Sequence, residues 1–239
     1  FDGDTLADWL LEQPACAEFL AAKLASWFLS DLPKDLGGDA ASGSDRLAPL
    51  AETLRTTGYD LTATLRFLLR SRIFFDPSIR RRKVKSPVEY TVGMVRSLDL
   101  IQPTLRLNEL ARANDAMGQR LFAPPGVAGW DGGPAWLGTT ATLARLNFAL
   151  ALVGAGPGDN PFGRDHQPEP VASDQLGDVV NRYADLWLQA GADEPTRRSL
   201  VEQVVNLERD LAHTPAKPDR ARAWTALGLL VALPVFQLA

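Results

Sequence analysis

Ser86-Pro87-Val88-Glu89 carries the clearest folding signal in the sequence, because four consecutive residues together specify the start of a helix. A serine at the cap accepts a hydrogen bond from the amide three residues later, and a glutamate at that later position reaches back to the serine amide. Proline fits the first helical turn, where its missing N–H has no intrahelical partner. The stretch predicts a helix from this point to about Leu98.

Apolar residues at helical spacing recur on both sides of this helix, and no convincing alternating strand appears. Capping residues such as Asp60 and stop signals such as Gly58 and Gly118 separate the apolar runs. We therefore predict an all-α fold, an irregular multi-helix bundle of about nine or ten helices with long Gly/Pro loops.

Three regions are predicted along the chain of 239 residues. Residues 1–153 form a main helical domain, which includes a glycine, proline and tryptophan loop at 118–138, called the aromatic loop below. Residues 154–173 are rich in Gly, Pro, Asp and Glu and are typical of a flexible linker. Residues 174–239 form a C-terminal helical part.

The composition excludes several classes of protein. An apolar fraction of 46% and a charged fraction of 23% are ordinary for a globular protein and exclude disorder of the whole chain. A formal net charge of -4 argues against a general nucleic-acid binder. The apolar run at 226–235 is interrupted by Gly228 and Pro234 and is too short to cross a bilayer, so we expect no transmembrane segment.

Cysteine and histidine are scarce in the chain. Cys16 is the only cysteine, which excludes an internal disulfide and a zinc cluster of cysteines. His166 and His213 are the only histidines, and they are far apart in the sequence. Neither a phosphate-binding loop nor a dinucleotide fingerprint is present. We therefore expect no metal site and no cofactor.

Several stretches of the sequence resemble a known family when they are taken together. They are Lys83–Glu89, Met117–Trp130 with Gly133 and Trp136 after it, Arg145–Ala149, the opening Phe1–Asp4 and the closing Leu233–Gln237. Their order and separation resemble the C-terminal half of the bacterial family called domain of unknown function 1800. The resemblance implies a partner in the N-terminal half and a periplasmic or extracellular location, with a cytoplasmic one still open. It implies no catalytic residues, since none are defined for the family.

The first candidate ligand site is the basic turn before the Ser86 helix. Lys83 and Lys85 lead into a helix N-terminus, where amides and the positive dipole end attract anions. Ser86, Glu89 and Gln119 are the polar groups expected beside them. The alternative is a solvated charge run, or lysines paired with carboxylates elsewhere, with Ser86 acting only as a helix cap. The wider basic stretch contains eight cations: Arg66, Arg70, Arg72, Arg80, Arg81, Arg82, Lys83 and Lys85.

The second candidate is the aromatic loop. Phe122, Trp130 and Trp136 on a loop stiffened by proline could form an apolar platform for a sugar ring or a peptide. The alternative is that these rings turn inward and fix the loop to the helices. Thr139 or Thr140 is expected to cap the helix that follows.

The two candidates are expected to lie at one end of the bundle. The helix that begins at Ser86 and the next one, which ends at Gly118, are joined by a short connection, so antiparallel packing makes those two ends neighbours.

The leading functional hypothesis is a non-enzymatic binding or assembly module of an exported bacterial protein, with a protein partner and an anionic ligand. The alternative is part of an enzyme that acts on a cell-envelope polymer or an acidic saccharide. The enzyme would need two carboxylates facing one cleft. The candidates for them are Glu89, Glu109, Asp115 and Asp131.

Overall fold

The computed structural model describes residues 2–29, 44–79, 81–98, 106–152, 176–188, 193–211 and 226–238. Within these ranges the chain forms ten helical segments and no β-strand, so the all-α prediction is confirmed. The segments are α1 (Gly3–Glu12), α2 (Pro14–Phe28), α3 (Ser44–Thr56), α4 (Leu61–Arg70), α5 (Pro87–Ser97), α6 (Leu107–Ala116), α7 (Thr139–Leu152), α8 (Leu176–Leu188), α9 (Glu194–Leu211) and α10 (226–232). None of the described helices combines the length and apolar character needed to cross a membrane.

Contacts divide the chain into an N-terminal unit that ends at Val84 and a C-terminal unit, Lys85–Leu238. Within the C-terminal unit, Leu152 of α7 and Leu176 of α8 belong to one core. The predicted regions 1–153 and 174–239 stay predictions. The predicted linker at 154–173 lies outside the described residues and stays a prediction.

The N-terminal unit is built around one face of α2. Ala17, Ala21 and Ala25 recur at a spacing of four residues and are all buried, so they form a smooth stripe along the helix. Leu54 of α3 and Leu68 of α4 belong to the same core. Small side chains on this stripe let the neighbouring helices approach α2 closely.

The C-terminal unit has an aromatic core. The Phe236 ring lies 5.4 Å from the Tyr90 ring, and it lies 5.4 Å from the Trp187 ring as well. The Trp187 indole N–H donates to the Ser97 hydroxyl at 2.7 Å, which ties α8 to the end of α5. Residues from α5, α8 and the last described segment of the chain therefore close this core together.

Candidate functional site

The predicted helix start at Ser86 is present in full. The Ser86 hydroxyl accepts from the Glu89 amide at 3.3 Å, and the Glu89 carboxylate accepts from the Ser86 amide at 2.8 Å. The Val88 amide donates to the Gln119 side-chain oxygen at 3.0 Å, and the Tyr90 amide donates to the Ser86 carbonyl at 2.9 Å. Because Pro87 has no N–H, every amide donor at this helix end is already paired within the protein.

The contact of Gln119 with Val88 confirms that the start of α5 and the end of α6 are neighbours. Gly118 ends α6 with a φ of +95°, a left-handed conformation that glycine adopts at little cost. A buried hydrogen bond of 3.0 Å from the Thr91 hydroxyl to the Asn114 side-chain oxygen holds the two helices together nearby.

Replacing Ser86 tests the structural role of this helix start. Ser86→Ala is expected to lower the free energy of unfolding by about 1 kcal/mol, because the Glu89 amide loses its acceptor. Urea denaturation followed by circular dichroism measures this loss. Ser26→Ala in the last turn of α2 is the matched control, since the Ser26 hydroxyl donates to the Lys23 carbonyl and caps no helix start. Equal effects of the two changes would contradict a specific capping role.

Lys85 interacts with the last described segment of the chain through both its side chain and its backbone. Its ammonium donates to the Phe236 carbonyl at 2.8 Å and lies 4.5 Å from the centre of the Phe236 ring. Its backbone amide donates to the Gln237 carbonyl at 3.0 Å. Lys83 belongs to the N-terminal unit, where its ammonium donates to the Trp27 carbonyl at 3.0 Å. The two lysines of the predicted site therefore have different partners.

Arg145 of α7 is the residue that sequence reasoning missed as a candidate. Its side chain is 0% exposed, and the guanidinium donates to the Lys85 carbonyl at 2.5 Å and to the Gln237 side-chain oxygen at 3.3 Å. The guanidinium carbon also lies 4.9 Å from the Tyr90 ring centre. Burial lowers the pKa of Arg145, while the Tyr90 hydroxyl and the Glu89 carboxylate act in the opposite direction.

A signal for the burial of Arg145 was present in its helix. Phe148, Ala149 and Leu152 follow Arg145 at spacings of three, four and seven residues, and all of them are buried. Arg145 therefore occupies the buried face of α7. Segments that carried the family resemblance, at 83–89, 145–149 and 233–237, contribute Lys85, Arg145 and Gln237 to this one cluster.

The three aromatic side chains of the aromatic loop differ in burial. Trp136 lies in a short 3-10 turn, Gly133–Leu137, and is 7% exposed, so the inward alternative holds for this ring. Trp130 is half-buried. Phe122 is 98% exposed and has a φ of +60°, which is rare for a residue with a side chain.

A cavity of about 380 Å³, called the Trp cavity below, lies beside this loop. Its lining combines aromatic, hydroxyl, carboxylate and small groups: Ala116, Met117, Gly118, Pro125, Trp130, Asp131, Ala135, Trp136, Gly138, Thr139, Thr140 and Ala141. The indole N–H of Trp136 makes no hydrogen bond to any residue that the structure describes. The cavity lining thus includes a hydrogen-bond donor beside its hydroxyl and carboxylate groups.

The start of α7 forms another part of the cavity lining. The expectation that Thr139 or Thr140 caps this helix is wrong, because both lie inside α7 and the Thr142 amide donates to the Gly138 carbonyl at 2.8 Å. Glycine at the capping position has no side chain with which to accept from the first amides. The helix therefore begins at the cavity with its positive dipole end.

The chain was compared with protein families, with curated proteins and with solved structures. A family model described as "Protein of unknown function (DUF1800)" matches residues 1–238. The chain belongs to the DUF1800 family. Comparisons with curated proteins and with solved structures found no match. The family resemblance is thereby confirmed, and the interpretation of the DUF1800 chain as a C-terminal half stays a prediction.

Proposed function

We propose that this DUF1800 chain is a binding module that holds a sugar ring in the Trp cavity. The observation that carries the proposal is the lining of the cavity, where Trp130 and Trp136 lie beside the Asp131 carboxylate and the hydroxyl residues Thr139 and Thr140. A sugar ring has an apolar face of C–H groups and a rim of hydroxyls. Aromatic walls suit the face, and a few placed polar groups suit the rim.

Each polar group at the cavity has a distinct role in this proposal. The Asp131 carboxylate can accept from two sugar hydroxyls, and the Trp136 N–H can donate to a third. The positive end of α7 favours a sugar that carries a carboxylate, because amides and dipole both attract negative charge there. A saccharide that places its carboxylate at the start of α7 and its hydroxyls beside Asp131 therefore fits this cavity.

The positions of the candidate carboxylates favour a binding function over a hydrolytic one. Glycoside hydrolysis normally uses two carboxyl groups that flank the scissile bond. Asp131 is the one carboxylate in the described lining of the Trp cavity. Glu89 accepts from the Ser86 amide, and Glu109 forms an ion pair of 2.8 Å with Arg112 on α6. An enzyme acting on a cell-envelope polymer is thus the less supported alternative.

The residues predicted for the ligand site have different roles in this proposal, and Lys83, which contacts Trp27 in the N-terminal unit, has none. Trp130 and Trp136 contact the ligand. Ser86 and Glu89 cap α5, Gln119 joins the start of α5 to the end of α6, and Lys85 binds the Phe236 carbonyl. An exported bacterial setting, which the resemblance implies, would give such a module the saccharides of the cell envelope as ligands.

Titration calorimetry with defined oligosaccharides tests the proposal. We expect a uronic-acid oligosaccharide to bind the whole chain, and Trp130→Ala to weaken binding at least about tenfold through the loss of ring stacking. Trp27→Ala, which removes an exposed tryptophan of the N-terminal unit, is the matched control and should bind like the parent chain.

Three outcomes would contradict the proposal. The first is no binding of either acidic or neutral oligosaccharides at millimolar concentration. The second is equal affinity of the parent chain and Trp130→Ala. The third is shortening of the oligosaccharide during incubation, measured by mass spectrometry, which would favour the enzyme alternative instead.

A further inference from the structure

Three arginines of the N-terminal unit line one surface groove of about 740 Å³. Arg66 and Arg70 lie one turn apart on α4, and Arg72 follows the end of that helix. All three side chains are exposed. None of them forms an ion pair or a side-chain hydrogen bond with any residue in the described ranges.

Other arginines of this unit are paired, which makes the groove distinct. Arg46 forms an ion pair of 3.0 Å with Asp76, and Arg55 forms one of 2.6 Å with Glu52. The Asp76 and Glu52 carboxylates are thus already engaged with cations outside the groove lining.

Asp60 is the one carboxylate in the described lining of the groove, and it is also engaged. Its Oδ1 atom accepts from the Thr62 amide at 2.8 Å and from the Ala63 amide at 3.1 Å, because it caps α4. The carboxylate of an aspartate in this role already interacts with the positive end of the helix dipole. Three guanidinium groups against one engaged carboxylate leave the groove positively charged.

The groove also has an apolar surface. Phe67 lies between the two arginines of α4 in the sequence and is 43% exposed within the groove lining. Ala63 adds a small apolar surface one turn earlier. A ligand that matches these groups must present negative charge and an apolar group together.

We propose that this groove binds an acidic peptide segment of a partner protein. The arginine groove is defined by its lining: Thr53, Asp60, Thr62, Ala63, Arg66, Phe67, Arg70, Ser71 and Arg72. Guanidinium groups bind carboxylates through two parallel hydrogen bonds, and an apolar side chain of the peptide would cover Phe67.

Net charge favours a short peptide over a nucleic acid. The whole chain carries a formal charge of -4, which is not typical of a general nucleic-acid binder. A peptide segment of a few residues meets only the local positive field. Screening by salt confines this field to about 8 Å at physiological ionic strength, which suits a short ligand.

Fluorescence anisotropy on the whole chain tests the proposal with a short labelled peptide that alternates glutamate and leucine. We expect saturable binding that weakens as salt is raised. The double variant Arg66→Ala with Arg70→Ala should bind at least about tenfold more weakly, because two charge-assisted pairs with the peptide carboxylates are lost. The double variant with lysine at both positions should recover only part of the affinity, since lysine lacks the planar fork.

Matched controls separate this site from others. Arg96→Ala, an exposed arginine of α5 in the C-terminal unit, should bind the peptide like the parent chain. Trp130→Ala should also leave peptide binding unchanged, so failure of the saccharide proposal and failure of this one are distinguishable. Circular dichroism should show that the exposed substitutions leave the helix content intact.

The following results would overturn the proposal. One is absence of peptide binding, or equal binding by the parent chain and the alanine double variant. A second is equal binding of a control peptide with glutamine in place of glutamate, which removes the requirement for carboxylates. A third is tighter binding of single-stranded DNA than of the peptide, lost in the same double variant, which would assign the groove to nucleic acid.

Discussion

Arg145→Ala is expected to lower the free energy of unfolding by about 3–5 kcal/mol, because the substitution dismantles a buried polar network. The Lys85 carbonyl and the Gln237 side-chain oxygen each lose a charged donor, and the Tyr90 ring loses the guanidinium that lies over it. A buried acceptor left without a donor carries the full cost of its removal from water. Urea denaturation followed by circular dichroism measures the change.

Two further variants make the Arg145 test specific. Arg96→Ala removes an exposed arginine and should change stability by no more than about 0.5 kcal/mol. Arg145→Lys keeps a positive charge but offers a single ammonium to two separate acceptors, so we expect it to remain closer to the alanine variant than to the parent chain. A loss below about 1 kcal/mol for Arg145→Ala would contradict a central role for this cluster.

Trp136→Ala should cost about 3–5 kcal/mol of stability, the range typical of removing a buried large aromatic side chain. The ring is 7% exposed and lies close to the backbone on two sides, since a Cβ added at Gly118 or at Gly132 would stand 3.8 or 3.9 Å from it. Removing the ring leaves the base of the aromatic loop without its packing. Thermal unfolding and limited proteolysis of the loop report the change.

Phe122→Ala is the matched control on the same loop. Its ring is 98% exposed, so removing it should change stability by less than about 0.5 kcal/mol. The comparison separates the two aromatic residues by burial alone. If both substitutions had the same effect, the inward packing of Trp136 would not be what holds the loop.

The sequence by itself determined the helices, because their signals are local. The hydrogen bonds that begin α5 join Ser86 and Glu89, which are three residues apart, and Asp60 caps α4 through amides two and three residues away. Contacts over so short a separation depend only on residue identity and backbone geometry. Apolar spacing likewise predicted the all-α class before any long-range contact was known.

Only the tertiary structure decided which of the predicted site residues meet. Lys83 and Lys85 are two positions apart in the sequence, yet their ammonium groups donate to the carbonyls of Trp27 and Phe236, which are 56 and 151 positions away respectively. Arg145 reaches Lys85 across 60 positions and Gln237 across 92. The directions of Trp136 and Phe122 depend on the same kind of distant packing. Pairings over such separations arise from how helices fill a shared core, and a spacing of three or four residues carries no information about them.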